Sequence, residues 1–152
     1  MNTNFEHLIT GLCQLTGFAS PQSIIEGGGI AFNGVSFALT QKPKADPDGL
    51  FLHADFGQLD LEQQAVLYPL MLQENLMMMS SRDCTFSVSR VLDSVVMIER
   101  ISLSTQTPET LLAMMRSLAG RANYFNKHHR ARKAVTPRHP LHASGKQLTS
   151  RI

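Results

Sequence analysis

Apolar positions recur at helical spacing near the start of the chain, where Phe5, Leu8, Ile9, Leu12 and Leu15 share one stripe of a helix predicted from about Asn4 to Thr16. Gly17 follows as a residue free to take the left-handed conformation that stops a helix. Beyond Pro21 and the flexible triplet Gly27-Gly28-Gly29, the short runs IAF and VSFAL flank Asn33-Gly34, the pair that favours a two-residue type I′ hairpin. Pro47-Asp48-Gly49 predicts a further turn. Leu50, Leu52, Ala54 and Phe56 then alternate with Phe51, His53 and Asp55, a third strand that ends at Gly57.

The next helix breaks the amphipathic rule. Asp60 with Gln63 is a capping-box signature at its start, and Pro69 inside it predicts a kink or one unpaired carbonyl. Leu67, Leu70, Met71 and Leu72, then Leu76, Met77, Met78 and Met79, cover more than the roughly 100° arc that packing on one sheet uses. A helix apolar nearly all round is sunk in a large core, spans a membrane or meets another protein. A chain of 152 residues, with Glu62, Gln63, Gln64, Gln73, Glu74 and Asn75 on this helix, argues against the first two. A subunit interface is the expectation.

Thr85 to Val88 and Ser94 to Leu103 predict two more strands, the second with Val95, Met97, Ile101 and Leu103 on one face and Val96 and Ile98 on the other. Thr107-Pro108-Glu109 is a helix start, with an N-cap, a proline at the first helical position and an acid at the positive end of the dipole. Leu111, Met115, Leu118, Ala122 and Phe125 follow at helical spacing. The fold class is therefore α+β, an antiparallel twisted sheet with three helices in the order α-β-β-β-α-β-β-α.

Charge divides the chain in two. Met1 to Asn126 holds 12 acidic and 7 basic residues, a balance of −5, whereas Lys127 to Ile152 holds 7 basic residues and no acidic one. Residues 1–126 therefore read as one domain, with 43% apolar residues over the whole chain, and 127–152 as a basic tail too poor in apolar residues to offset the entropy of ordering. The start lacks the basic and apolar regions of a secretory signal and no apolar run reaches membrane-spanning length, so the expected location is the cytoplasm with no membrane span. Cys13 and Cys84, far apart and outside any CxxC pattern, read as reduced thiols used as small apolar residues.

Catalytic chemistry is not legible. His53 and Asp55 project from the same side of a strand, but no nucleophile accompanies them, and the glycine triplet matches no phosphate-binding pattern. His128, His129, His139 and His142 lie in the cationic segment without cysteine or carboxylate companions, so no metal, cofactor or enzymatic activity is expected. Seven cations in the tail are an electrostatic footprint for a polyanion, yet the segment has no aromatics to stack bases, so nucleic acid is not the expected partner. Met77, Met78 and Met79, with Met114 and Met115, are side chains that repack around varied apolar partners.

The order of elements, the stretch LYPLMLQENLMMM, the strand ending in MIERISL and the last helix ending in ANYF resemble the class I type III secretion chaperones of the Tir chaperone (CesT-like) family, from about Phe5 to Asn126. The resemblance implies a homodimeric bacterial chaperone without ATPase activity. Such a protein binds the N-terminal segment of a secreted effector in extended form and presents it to the secretion machinery. It implies a dimer interface at Leu67, Leu70, Met71, Asn75, Phe86 and Val88, and client contacts at Phe5, Leu8, Ile9 and Leu12 with Val35, Phe37 and Leu39. Family members are typically acidic; the body fits that pattern and the tail departs from it. A nucleic-acid-binding or regulatory adaptor acting through the basic tail is the alternative.

Overall fold

The computed structural model describes residues 3–18, 20–78 and 84–129. Met79 and most of the basic tail, 130–152, lie outside the described residues. Helix α1 (Thr3–Thr16) and the short α2 (Pro21–Ile25) precede β1 (Ile30–Phe32), β2 (Val35–Lys42) and β3 (Asp46–Gly57). Helix α3 (Leu61–Met78), β4 (Cys84–Ser89), β5 (Ser94–Ser102), one 3₁₀ turn (Leu103–Thr105) and α4 (Pro108–His129) follow. All strand pairings are antiparallel, and the spatial order is β1-β2-β3-β5-β4.

Local chemistry accounts for most element ends. Asn33 and Gly34 both take positive φ, 48° and 76°, as a type I′ hairpin requires. Gly17 stops α1 at φ 73°, its N–H donating to the Cys13 carbonyl at 2.8 Å. At the start of α3 the capping box is complete: the Gln63 N–H donates to Asp60 Oδ1 at 2.8 Å, and the Asp60 N–H donates to Gln63 Oε1 at 3.2 Å. Helix α2, absent from the sequence reading, is too short to show periodicity; Ser20 caps it by accepting the Ser23 N–H, and Pro21 opens it.

One layer of the core lies between the sheet and the helices α1 and α4. Ile9, Leu12, Phe37, Leu50, Leu52, Phe56, Met97, Leu111, Met115 and Leu118 are almost wholly shielded there. The seven residues expected to touch a client belong to this layer. Phe5, Leu8, Ile9, Leu12, Val35, Phe37 and Leu39 are at most 7% exposed, because the apolar stripe of α1 and the inward face of β2 both enter the one core that they share with α4. They hold the monomer together, and their side chains are not at the surface. Leu15 departs in the opposite direction: the buried stripe of α1 runs through Cys13, and Leu15 is 49% exposed.

Two further boundaries differ from expectation. Pro47-Asp48-Gly49 lies inside β3; the turn is made one step earlier, where the Ala45 N–H donates to the Lys42 carbonyl at 2.9 Å. Helix α4 runs through Lys127, His128 and His129, three residues counted with the tail. His128 meets Tyr124 at 4.2 Å and His129 meets Phe125 at 5.2 Å between tilted rings, Gln63 Nε2 donates to the His129 carbonyl, and the Lys127 cation suits the negative end of the helix dipole.

What draws Asp46 and Asp48 into β3 is distant in sequence. Arg100 donates to Asp46 from Nε at 2.7 Å and from Nη2 at 3.0 Å. Asp48 accepts from the Ser102 hydroxyl, from the Ser104 N–H at 2.7 Å and from the Ser104 hydroxyl at 3.1 Å. The Arg100 hydrogen bond holds the Asp46 carboxyl below the usual carboxylate range, and the Ser102 and Ser104 bonds do the same for Asp48. Carboxylates depressed in the folded state contribute stability above their unfolded value of about 3.9 and lose it as pH falls through the lower folded values. Arg100→Leu removes the leading cause at Asp46. The expected result is a shallower fall of Tm on acidification below about pH 4 than in the parent chain, followed by circular dichroism.

Candidate protein-interaction site

Helix α3 rests on the body by few side chains. Leu67 and Met71 are 9% and 7% exposed and join the core, and α3 packs chiefly along β4. Leu61, Leu72 and Leu76, at 81%, 70% and 71% exposure, stand at helical spacing with Ala65 and Pro69 and form one outward apolar stripe. Val66, Leu70 and Met77, at 63%, 49% and 68%, lie on the opposite flank. An isolated surface helix carries polar side chains at such positions.

Beside the stripe, α3 and β4 enclose a groove of about 310 Å³ lined by Tyr68, Met71, Leu72, Asn75, Phe86, Ser87 and Val88. It gathers four of the six residues expected at a dimer interface: Met71, Asn75, Phe86 and Val88. Leu67 sits beneath it in the core and Leu70 on the far flank, while Leu72, part of the apolar surplus of the helix but not one of the six, lines it and is more exposed than Leu70. Phe86 packs edge-on against Phe56 at 5.7 Å, and Phe56 against Phe125 at 5.6 Å, so one wall of the groove is anchored in the core. Burial, with a smaller contribution from the charge of Asp93, pushes the Tyr68 phenol above its ordinary pKa.

Asn75 reaches across to β4. The Phe86 N–H donates to Asn75 Oδ1 at 2.6 Å, and Asn75 Nδ2 donates to the Phe86 carbonyl at 2.9 Å. Both halves of the amide are therefore used, which fixes the distance between α3 and β4 at the floor of the groove.

A second groove, about 240 Å³, lies at the other edge of the sheet, lined by Phe18, Ser20, Ser23, Ile24, Gly29, Ile30 and Ala31. Phe18 meets Phe32 edge-on at 6.3 Å next to it. The glycine triplet makes this corner: the Gly28 N–H donates to the Ser23 carbonyl at 2.7 Å, and a Cβ on Gly28 would come within 2.6 Å of that oxygen. The triplet is thus a tight entry into β1.

His53 Nε2 and Thr40 Oγ1 share a hydrogen bond of 2.8 Å on the sheet face away from α1. Cys13 and Cys84 are both buried, and burial raises the pKa of Cys13, which suits a packing role. Among the described residues, no three of the His, Cys, Asp and Glu side chains are grouped to hold a metal ion, and no helix is long and apolar enough to cross a membrane.

The model of the Tir chaperone protein (CesT) family matches residues 7–125, from α1 to the last turns of α4. The chain belongs to that family. The match takes in every element that builds the two grooves. No curated protein matches the sequence at a significant level. Among solved structures, this Tir chaperone family chain is similar to the ExsC–ExsE complex, with a TM-score of 0.69 and 18% identity over 88% of this chain and 100% of that one. It is also similar to the HopA1–SchA chaperone–effector complex, with a TM-score of 0.59 and 14% identity over 82% and 96% of the two chains. The Yersinia pestis type III secretion chaperone SycH, solved with a stable fragment of YscM2, gives a TM-score of 0.56 and 16% identity over 80% and 98%. At these identities the shared feature is the fold.

Proposed function

We propose that this Tir chaperone family member is a cytoplasmic, homodimeric type III secretion chaperone. It binds the N-terminal segment of a secreted effector in extended form, keeps it competent for secretion and uses no catalytic step. The observation that carries the reading is the outward apolar stripe of α3, Leu61, Leu72 and Leu76, running beside the groove under Tyr68 and Val88. A two-fold axis through this region sets each stripe against its copy, which supplies the cover that one subunit lacks. The structural relatives add support, since they include a type III secretion chaperone and a chaperone–effector complex.

Client binding then falls at a different place from the one the sequence suggested. The inward residues of α1 and β2 are used up in the core, so the effector segment lies along the β1 edge, with apolar side chains in the groove of Phe18, Ile24 and Ile30.

The other reading assigns function to the basic segment, because no acidic residue follows Glu109. Deleting residues 130–152 separates the two. With an effector segment encoded beside the chaperone co-expressed and affinity-tagged, the shortened chain is expected to co-purify as the full chain does. Loss of the client from a shortened chain with an unchanged circular dichroism spectrum contradicts the chaperone reading as stated.

A further inference from the structure

The strand order leaves two edges, β1 and β4, and their backbone groups are in different states. In the first hairpin the two-residue turn makes Phe32 and Val35 the closing hydrogen-bonded pair. The next pair, Ala31 with Ser36, is then the kind that exchanges no backbone bonds, and the N–H and C=O of Ala31 face away from the sheet. Ala31 is exposed and borders the groove of Phe18, Ile24 and Ile30. An extended chain finds there both backbone partners and a place for an apolar side chain.

At β4 the equivalent position is filled. Phe86 stands opposite Met97, and its N–H and C=O are both bonded to the Asn75 side chain, at 2.6 Å and 2.9 Å. A carboxamide offers one acceptor and a donor in the same relative placement as a peptide group, so Asn75 makes the two bonds that a neighbouring strand would make. Val88, 40% exposed on the same edge, and Phe86 would otherwise form an apolar strand edge of the type that recruits further strands. We infer that Asn75 closes the β4 edge to strand addition, so that of the two edges only β1, already proposed for the client, stays open to an extended chain. The inference rests on the chaperone reading only for the identity of that chain. It gives the two edges separate tasks: β1 takes backbone pairing, and the α3–β4 side takes side-chain packing.

The test is amide hydrogen exchange by NMR on the full chain, with a synthetic peptide of alternating valine and threonine as the probe. It is run in the parent background and in the Leu72→Asp background, so that cover by a second subunit is separated from cover by Asn75. With Asn75 present, the Phe86 amide is expected to exchange slowly without peptide, and the peptide slows Ala31 while leaving Val88 unchanged. In Asn75→Ala, loss of the bond lets the Phe86 amide exchange about tenfold faster or more, and peptide or high protein concentration slows it again. Asn75→Asp keeps the acceptor and loses the donor, which provides a folded variant if the alanine chain does not fold. There the Phe86 amide stays slow, and peptide protection at Val88 appears. Peptide protection at Val88 with Asn75 intact, no slowing of Ala31, or β4 unchanged in the Asn75 variants overturns the inference. The peptide is not an effector, so failure of an effector segment to bind leaves this test unaffected.

Discussion

Leu72→Asp is expected to convert the proposed homodimer into folded monomer. Leu72 is 70% exposed in the single chain and lines the α3–β4 groove, so aspartate there is solvated in the monomer and unfolding is not the expected response. In the proposed dimer the same carboxylate would be pressed against an apolar surface, at a cost of several kcal/mol. A loss of about 4 kcal/mol weakens association about a thousandfold, enough to take a submicromolar dimer apart at micromolar protein. Leu70→Asp, on the opposite flank at 49% exposure, is expected to act less strongly. Met71 cannot serve as the same kind of probe: at 7% exposure it belongs to the core, and an aspartate there tests folding.

Phe37→Ala is expected to be the opposite case, a large loss of stability with no change of partner specificity. Phe37 is wholly buried on β2, between Ile30 of β1 and Ala54 of β3 in the cross-strand register. Removing its ring costs about 3–5 kcal/mol, from lost burial and the cavity left behind. In a domain of this size that lowers Tm by roughly 10 °C, measured by calorimetry. If Phe37 were a client contact left open to solvent, the free chain would keep its Tm and only effector affinity would fall. The burial of Phe37 predicts the reverse order of effects.

These two residues show where sequence was informative and where it was not. Periodicity of two and of 3.6 located all five strands and the three long helices, because each rests on a local pattern: Asn33-Gly34, the Asp60 and Gln63 box, and Thr107-Pro108. Five-residue α2 carries too few positions for a pattern, and the extension of β3 through Pro47 depends on Arg100, Ser102 and Ser104, partners more than fifty residues away. The surplus of apolar residues on α3 was legible as a sum. Its division between a seated side, Leu67 and Met71, and an outward stripe, Leu61, Leu72 and Leu76, depends on how the helix is rotated against β4. The seven residues first assigned to the client illustrate the same limit. An apolar stripe on α1 and an apolar face on β2 have the same sequence signature whether they enter the subunit's own core or cover a partner, and only the packing decides between them.

In the proposed assembly the α3–β4 side and the β1 edge do not compete. One offers side chains with its backbone groups at Phe86 already bonded to Asn75; the other offers backbone groups beside a small apolar groove. A dimer closed through the first leaves the second free on each subunit, and a client can then lie along either β1 edge without disturbing the subunit contact.

The claim at the centre of this account is that the outward face of α3 is covered by a second copy of the chain. The direct measurement is the molar mass of the purified full chain by light scattering coupled to size-exclusion chromatography, alongside Leu72→Asp. The expected result is twice the 16.8 kDa of one chain for the parent and a single 16.8 kDa for the variant, both folded. A parent chain that elutes as a stable monomer, or a variant that keeps the mass of a dimer, contradicts it.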